Sequence, residues 1–220
     1  MDLRKLDSVF NPLTDVQHPI NIIGCGALGS NLAVMLTRLG IQNIILYDYD
    51  IVEPHNITNQ AYYTKHIGRL KTEALTEILK EINPELNIET RGKYKRQVLE
   101  GYVFLCLDNI EIRKAIVEQN KYNQCITAMF DLRMGLYEAQ CYTAKWNQKE
   151  IDFLLSTMDF THEEAQQNVP TSPCGTTLSV ISTVQSIASY AIINFIKLVR
   201  AQEVKPIAII DLYNNAILAM

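Results

Sequence analysis

No two of the five cysteines in this chain of 220 residues stand at C-x-x-C spacing. Cys25, Cys106, Cys125, Cys141 and Cys174 are widely separated, which removes the usual frameworks of a structural zinc site or a redox dithiol. Cys25, Cys106 and Cys125 lie in apolar runs and read as reduced core residues. The opening stretch, MDLRKLDSVF, lacks the apolar segment of a signal peptide, so a cytoplasmic location is expected. There is no excess of positive charge either. The formal net charge is −4, and lysine and arginine are scattered, so no nucleic-acid partner is expected. Repeats, low-complexity tracts and linkers are also missing, and residues 1–220 are read as one domain.

One more absence needs a separate reading. Residues 175–196 contain no charged side chain, and a stretch of that length can span a bilayer. Thr176, Thr177, Ser179, Ser182, Thr183, Gln185, Ser186, Ser189 and Asn194 make it too polar for lipid. Leu178, Ile181, Val184, Ile192 and Phe195 recur at helical spacing, so it is read as a helix buried within the protein, with no membrane partner.

What is present begins with INIIGCGALGSNLAVMLTRLGIQNIILYDYD, residues 20–50. Residues 20–25 read as a buried strand, 26–40 as a helix with Leu28, Leu32, Leu36 and Leu39 on one stripe, and 43–48 as a second strand. Helices are expected over 70–82, 110–120, 149–157 and 161–167, and strands over 102–109, 124–133 and 135–144. Asn214-Asn215 separates two short apolar runs, a hairpin signal. Strands alternating with helices imply a parallel right-handed first half, and neighbouring strands imply antiparallel additions after it. The fold class is therefore α/β, a Rossmann-like mixed sheet with helices on both faces.

Gly24-Cys25-Gly26-Ala27-Leu28-Gly29 fits G-x-G-x-x-G between a strand and a helix. Gly24 suits the tight turn, Gly26 close approach of backbone to a phosphate, and Gly29 helix–strand packing. Ser30 stands where a P-loop would have lysine. Asp48 and Asp50 follow Gly29 by 19 and 21 residues, a placement that suits ribose hydroxyls. NAD and ATP share that ribose, so this loop alone leaves hydride transfer and adenylation both open.

Downstream residues resemble the ThiF/HesA/MoeB family, bacterial relatives of ubiquitin-activating enzymes. Its ordered pattern is matched by Asp50, by Asn56-Ile57-Thr58-Asn59-Gln60, by Ile67-Gly68-Arg69-Leu70-Lys71, by Asn83-Pro84, and by Asp108-Asn109 with Arg113 four residues on. The resemblance runs over about residues 20 to 200. DYDIVEPHNITNQ and Asp131-Leu132-Arg133-Met134-Gly135 look most like compact ThiF-like proteins of phages and mobile elements. The resemblance implies ATP-dependent adenylation of the C-terminal glycine of a ubiquitin-like or sulfur-carrier protein, with Mg²⁺ as cofactor and a homodimer as the assembly. It implies that Asp50 holds the ribose and that Asn56 and Gln60 orient the loop or the phosphates. Lys71 would neutralise phosphate charge, Asn109 would contact the nucleotide, and Asp108 would hold the metal. Arg133 is a candidate for meeting the incoming carboxylate. The residue types also allow plainer roles: Asp108-Asn109 as a helix cap, Asn56 as a turn residue.

The chain departs from the family at Asn59, where the pattern has an arginine. Losing that charge is expected to weaken catalysis by ~10²-fold. Arg69 nearby, or Arg4 supplied by a partner copy, are the candidate substitutes. Cys174, ahead of the uncharged helix, is a candidate nucleophile for a second transfer step, with residues 147–172 as the crossover before it; a small residue at a tight junction is the alternative. A non-catalytic nucleotide-binding module is the alternative that Asn59 favours. An NAD-dependent oxidoreductase accounts for the glycine loop and Asp50, but not for Lys71, the N-x-x-N-Q segment and Asp108 arriving together.

Overall fold

The computed structural model describes residues 1–6, 8–167, 169–173 and 177–220. Eight strands form one sheet: β1 (Ile20–Ile23), β2 (Asn43–Tyr47), β3 (Asn87–Arg91), β4 (Gly101–Leu105), β5 (Ile126–Met134), β6 (Glu138–Lys145), β7 (Ile207–Asp211) and β8 (Ala216–Ala219). Their order is β3-β2-β1-β4-β5-β6-β7-β8. Pairings from β3 through to β5 are parallel, and those from β5 to β8 antiparallel. The helices are α1 (Pro12–Asp15), α2 (Ala27–Arg38), α3 (Lys71–Ile82), α4 (Ile110–Asn120), α5 (Gln148–Ser156), α6 (His162–Gln166) and α7 (Ile181–Val199).

Alternation along the strands divides the core in two. Ile20, Ile22, Leu46, Phe104 and Phe130 face the layer of α2, α3 and α7. Ile23, Tyr47, Val103, Leu105 and Met129 face the layer that includes α4 and α5. Strands buried on both faces read as continuous apolar runs, which is why β1 and β4 stand out in the sequence.

Three expectations are corrected. Cys125, read as a core residue, is exposed, because it lies in the turn ahead of β5 where its N–H is held by Asn123. The sequence reading placed no strand between 82 and 102, yet Asn87–Arg91 pairs in parallel with β2. It is an edge strand whose residues are exposed or half-buried, so it carries no apolar signature. The long helix was expected from about Gly175, whereas α7 starts at Ile181. Before it, Val180 is extended, Leu178 N–H donates to Pro170, and Thr171 bridges Thr177, so residues 177–180 follow a strand-like path. α7 is long and apolar enough to cross a membrane. Here its buried stripe, including Val184, Ile187, Ala191 and Phe195, packs into the core; Asn194 donates to Thr143 across the interface at 3.0 Å.

Candidate nucleotide site

Three parallel strands end level. Ile23 is in register with Tyr47 on one side and with Leu105 on the other. The chain reverses direction across the sheet here, β1 leading to β2 and β4 lying on the opposite flank. Crevices at such switch points take ligands beyond the carboxyl ends of the strands. Gly24, Asp48 and Cys106 are the next residues, and backbone pairing carries them one step further: Gly24 N–H donates to Tyr47, and Cys106 N–H to Ile23, both at 2.8 Å.

Gly24 has φ +95°, and a Cβ there would lie 2.8 Å from the Cys106 carbonyl oxygen. Gly29 sits inside α2, where a Cβ would lie 1.8 Å from the Gly24 carbonyl oxygen. The turn and the helix thus close on each other only because both side chains are missing. A Cβ at Gly26 would meet nothing within 4 Å, so the start of α2 faces open space. That cradle and the helix N-terminus fit an anion. Cys25, between the glycines, is fully buried, and burial, then Asp48, push its thiol well up; it is a packed thiol and not a nucleophile.

The carboxylates divide the work. Asp48 accepts from Cys25 N–H at 2.7 Å and from Asp50 N–H at 2.8 Å, one bond to each oxygen, so it braces the glycine turn and keeps a lone pair free on each oxygen. Asp50 remains half exposed and pairs with the Lys71 ammonium at 3.0 Å; the Lys71 side chain is only 10% exposed. Lys71 N–H also donates to Asp50 O at 2.9 Å, which fixes the first residue of α3 beneath the second strand. Tyr62 went unnoticed in the sequence. Its hydroxyl donates to Cys25 O at 2.7 Å and to Lys71 O at 3.3 Å, so one buried phenol joins the glycine turn to the start of α3. Burial, then the nearby Cys25 and the two aspartates, push its pKa up, and it stays a donor.

The 53–69 loop is pinned by its own side chains. Asn56 is buried and accepts from Glu53 N–H at 2.9 Å, so it orients the turn at Pro54–Thr58. Gln60 Oε1 is buried with no hydrogen-bond partner, an orphan acceptor beside the start of α2. Ser30 accepts from Ala61 N–H at 3.0 Å. Asn59, in place of the family arginine, donates to Ser179, and its carbonyl accepts from Asn31 at 3.0 Å. It is a neutral pin between the loop and the approach to α7. Of the candidate substitutes, Arg69 is bound to Glu77 at 2.5 Å, and Arg4 forms an exposed pair with Asp2 of its own chain at 2.5 Å.

Glu77 on α3 gathers Lys65 at 2.8 Å, Arg69 at 2.5 Å and buried His66 at 3.4 Å, all from the turn that delivers Lys71. Hydrogen bonds from Lys65 and Arg69 hold its carboxyl down to about 2 from the ordinary 4.5. A depressed folded pKa contributes stability above the unfolded value, and that contribution is lost as pH falls towards the folded one. Glu77→Gln is therefore expected to melt below the parent at neutral pH. The gap should narrow as pH drops from 4.5 towards 2, as thermal unfolding across that range will show. A gap that widens on acidification contradicts the clamp.

The other flank carries Asp108 and Asn109. Asp108 is exposed, and its carboxylate has no hydrogen bond or ion pair among the described residues. Asn109 caps α4, accepting from Ile112 N–H at 2.9 Å, so the capping role falls to Asn109 and leaves Asp108 unengaged. Arg113 is buried and donates to Leu105 O at 3.0 Å, to Leu107 O and to buried Asp131. Arg133 is engaged within the chain. It binds Asp131 at 2.6 Å and Thr157 through its carbonyl at 2.7 Å and its hydroxyl at 2.9 Å. No group of three or more His, Cys, Asp or Glu side chains suited to a metal exists among the described residues. Mg²⁺ is held by one or two carboxylates together with substrate phosphates, and the single unpaired carboxylate of Asp108 fits that mode. Cys174 lies outside the described residues. Cys106 and Cys141 are buried, and burial pushes each thiol up to about 12.

The comparisons with known proteins agree with this architecture. A family model described as ThiF family matches residues 16–217. Ubiquitin-like modifier-activating enzyme 5 of Oryza sativa subsp. japonica is 32% identical over 136 residues, 53% of this chain and 32% of that protein. The enzyme of the same name from Dictyostelium discoideum is 33% identical over 135 residues, 53% of this chain and 35% of that protein. The matched stretch thus spans about a third of these curated relatives. Among solved structures, PaaA superposes with a TM-score of 0.71 at 17% identity, covering 93% of this chain and 64% of that one. E. coli MccB with ATP gives 0.69 at 18% identity, covering 93% and 63%. At such identities the solved structures show the shared fold.

Proposed function

Because the chain belongs to the ThiF family, we propose that it is an ATP-dependent adenylyltransferase. Its substrate would be the C-terminal glycine carboxylate of a ubiquitin-like or sulfur-carrier protein. A carboxylate oxygen attacks the α-phosphorus of ATP, a new P–O bond forms, the α–β bridge breaks, and pyrophosphate leaves. The observation that carries the reading is the order of residues beyond the level strand ends. The Lys71–Asp50 pair follows β2, the open Gly26 cradle follows β1, and Asp108, without a partner among the described residues, follows β4. The names of the relatives, activating enzymes for ubiquitin-like modifiers, and the ATP in the MccB structure support the same substrates.

Each residue has a task that its placement allows. The amides at the start of α2 and the Lys71 ammonium attract phosphate. Asp50, half exposed, is free to trade Lys71 for ribose hydroxyls once phosphate takes the ammonium. Asp48 and Tyr62 keep the glycine turn rigid, so little reorganisation is needed when charge develops. Asp108 would hold Mg²⁺ together with the substrate phosphates, and the ion would supply positive charge to offset the departing pyrophosphate.

The test is ATP–pyrophosphate exchange in the presence of candidate carrier proteins. Carrier-dependent exchange supports the reading; affinity for NADH and none for ATP overturns it. Tight ATP binding without exchange for any carrier would favour a non-catalytic module. One specific observation motivates that second reading: Asn59 is neutral, and Arg69 is committed to Glu77. Transfer of the activated acyl group to Cys174, and action as a homodimer, extend the proposal. An acyl adduct that persists in Cys174→Ala assigns the acceptor elsewhere.

A further inference from the structure

Arg133 was singled out by its position after a strand, and the adenylation site does not use it. Its guanidinium is nearly enclosed, with the side chain 14% exposed. One edge binds the fully buried Asp131 through Nε at 2.7 Å. The other binds the C-cap of α5, donating to Thr157 O at 2.7 Å and Thr157 Oγ1 at 2.9 Å. Its plane lies over Tyr142 at 4.4 Å and near Phe160 at 5.9 Å, both distances to the ring centroid. Asp131 in turn binds Arg113, and Arg113 holds the carbonyls of Leu105 and Leu107. Leu107 immediately precedes Asp108. A continuous run of charge-assisted bonds, buried at Asp131–Arg113 and part-buried at its two ends, therefore joins the α5–α6 segment on one strand end to the Asp108 loop on the next.

We propose that Arg133 is a positioning residue: it docks the α5–α6 segment on the sheet and, through Asp131 and Arg113, sets the loop that presents Asp108. The parts form a unit because Asp131 is fully buried and needs both cations to satisfy its two oxygens. Loosening α5–α6 shifts Arg133, Asp131 follows its partners, and the Arg113 grip on Leu107 changes. Other anchors of the segment, Lys114 to Asp159 at 3.3 Å and His162 N–H to Glu111 at 3.5 Å, are exposed and weaker. Arg133 is thus the principal polar tie of the segment. The consequence for Asp108 rests on the metal-holding role proposed above; the mechanical link does not.

Amide hydrogen exchange on the whole chain without nucleotide tests the link. Arg133→Lys keeps the charge beside Asp131 but loses the fork that holds Thr157. Exchange is expected to quicken by about tenfold in residues 154–162, the scale of one charge-assisted bond lost. It should also quicken in residues 105–110, while β2, residues 43–47, stays at the parental rate. Thr157→Val, which removes one acceptor without touching the buried charges, should give the same pattern more weakly, and it serves if Arg133→Lys folds poorly. Quickening confined to 154–162 overturns the relay, and so does quickening everywhere. With ATP, the Mg²⁺ concentration at half-maximal exchange of pyrophosphate should rise severalfold in Arg133→Lys, and an unchanged midpoint overturns the effect on Asp108. A parent protein that binds no nucleotide sinks the adenylation reading instead, and hydrogen exchange still decides the relay.

Discussion

Asp108→Ala is expected to lose ATP–pyrophosphate exchange by ~10³-fold while melting at the parental temperature. The two halves of that result come from one feature, a carboxylate with no internal partner among the described residues. Removing it leaves no buried group stranded, so the stability change should stay within about 0.5 kcal/mol. The helix cap stays, because Asn109 supplies it, and the loop stays, because Arg113 holds Leu107. On the proposed reading catalysis would lose its anchor for a divalent ion beyond β4, and removal of a preorganised charge that acts on the transition state costs about 10²–10³ in rate. Asp108→Asn should lose nearly as much, since the charge and not the volume holds the metal. Exchange assays over a magnesium titration, beside thermal melts, give both numbers. Exchange that survives within tenfold in both variants removes Asp108 from the reaction.

Much of this site was legible in the sequence because it is built from local signals. The glycine turn needs residues without Cβ at two contacts under 3 Å, and such a demand leaves a mark. Level strand ends put Asp48 and Asp108 at the termini of apolar runs, and the ordered family pattern picks out Lys71. The antiparallel tail was readable too: Ile207–Asp211 and Ala216–Ala219 pair around the Asn214-Asn215 turn, with Asn215 at φ 55°. What stayed hidden depends on contacts far apart in the chain. Nothing local marks Tyr62 as the bridge between Cys25 and Lys71, or Glu77 as the anchor of Lys65, Arg69 and His66. The ties of Arg133 were hidden for the same reason: a strand-end arginine looks available until Thr157 arrives from elsewhere in the chain to join the nearby Asp131. The third strand was missed on energetic grounds, since a polar edge is held by backbone pairing with β2 and buries little of its own.

Lys71→Met is expected to weaken ATP binding by ~10²-fold and adenosine binding by less than about threefold, because the ammonium serves the phosphates alone. Its present partner makes the test discriminating. Lys71 is largely buried, and Asp50 half exposed, at 3.0 Å. Removing the lysine leaves a carboxylate that water can solvate, whereas removing the aspartate strands a nearly buried ammonium. Lys71→Met should therefore fold close to parental stability, and Asp50→Ala should be the less stable of the two. The ligand pattern should invert between them. Asp50→Ala loses affinity for adenosine as well as for ATP, since the ribose contact goes. It also frees Lys71 from competition, so its relative loss on pyrophosphate should be nil. Calorimetric titration of adenosine, ATP and pyrophosphate into both variants separates the tasks. If Lys71→Met loses adenosine and ATP in equal measure, the lysine is a structural strut for the start of α3, and the triphosphate must be neutralised by some other cation.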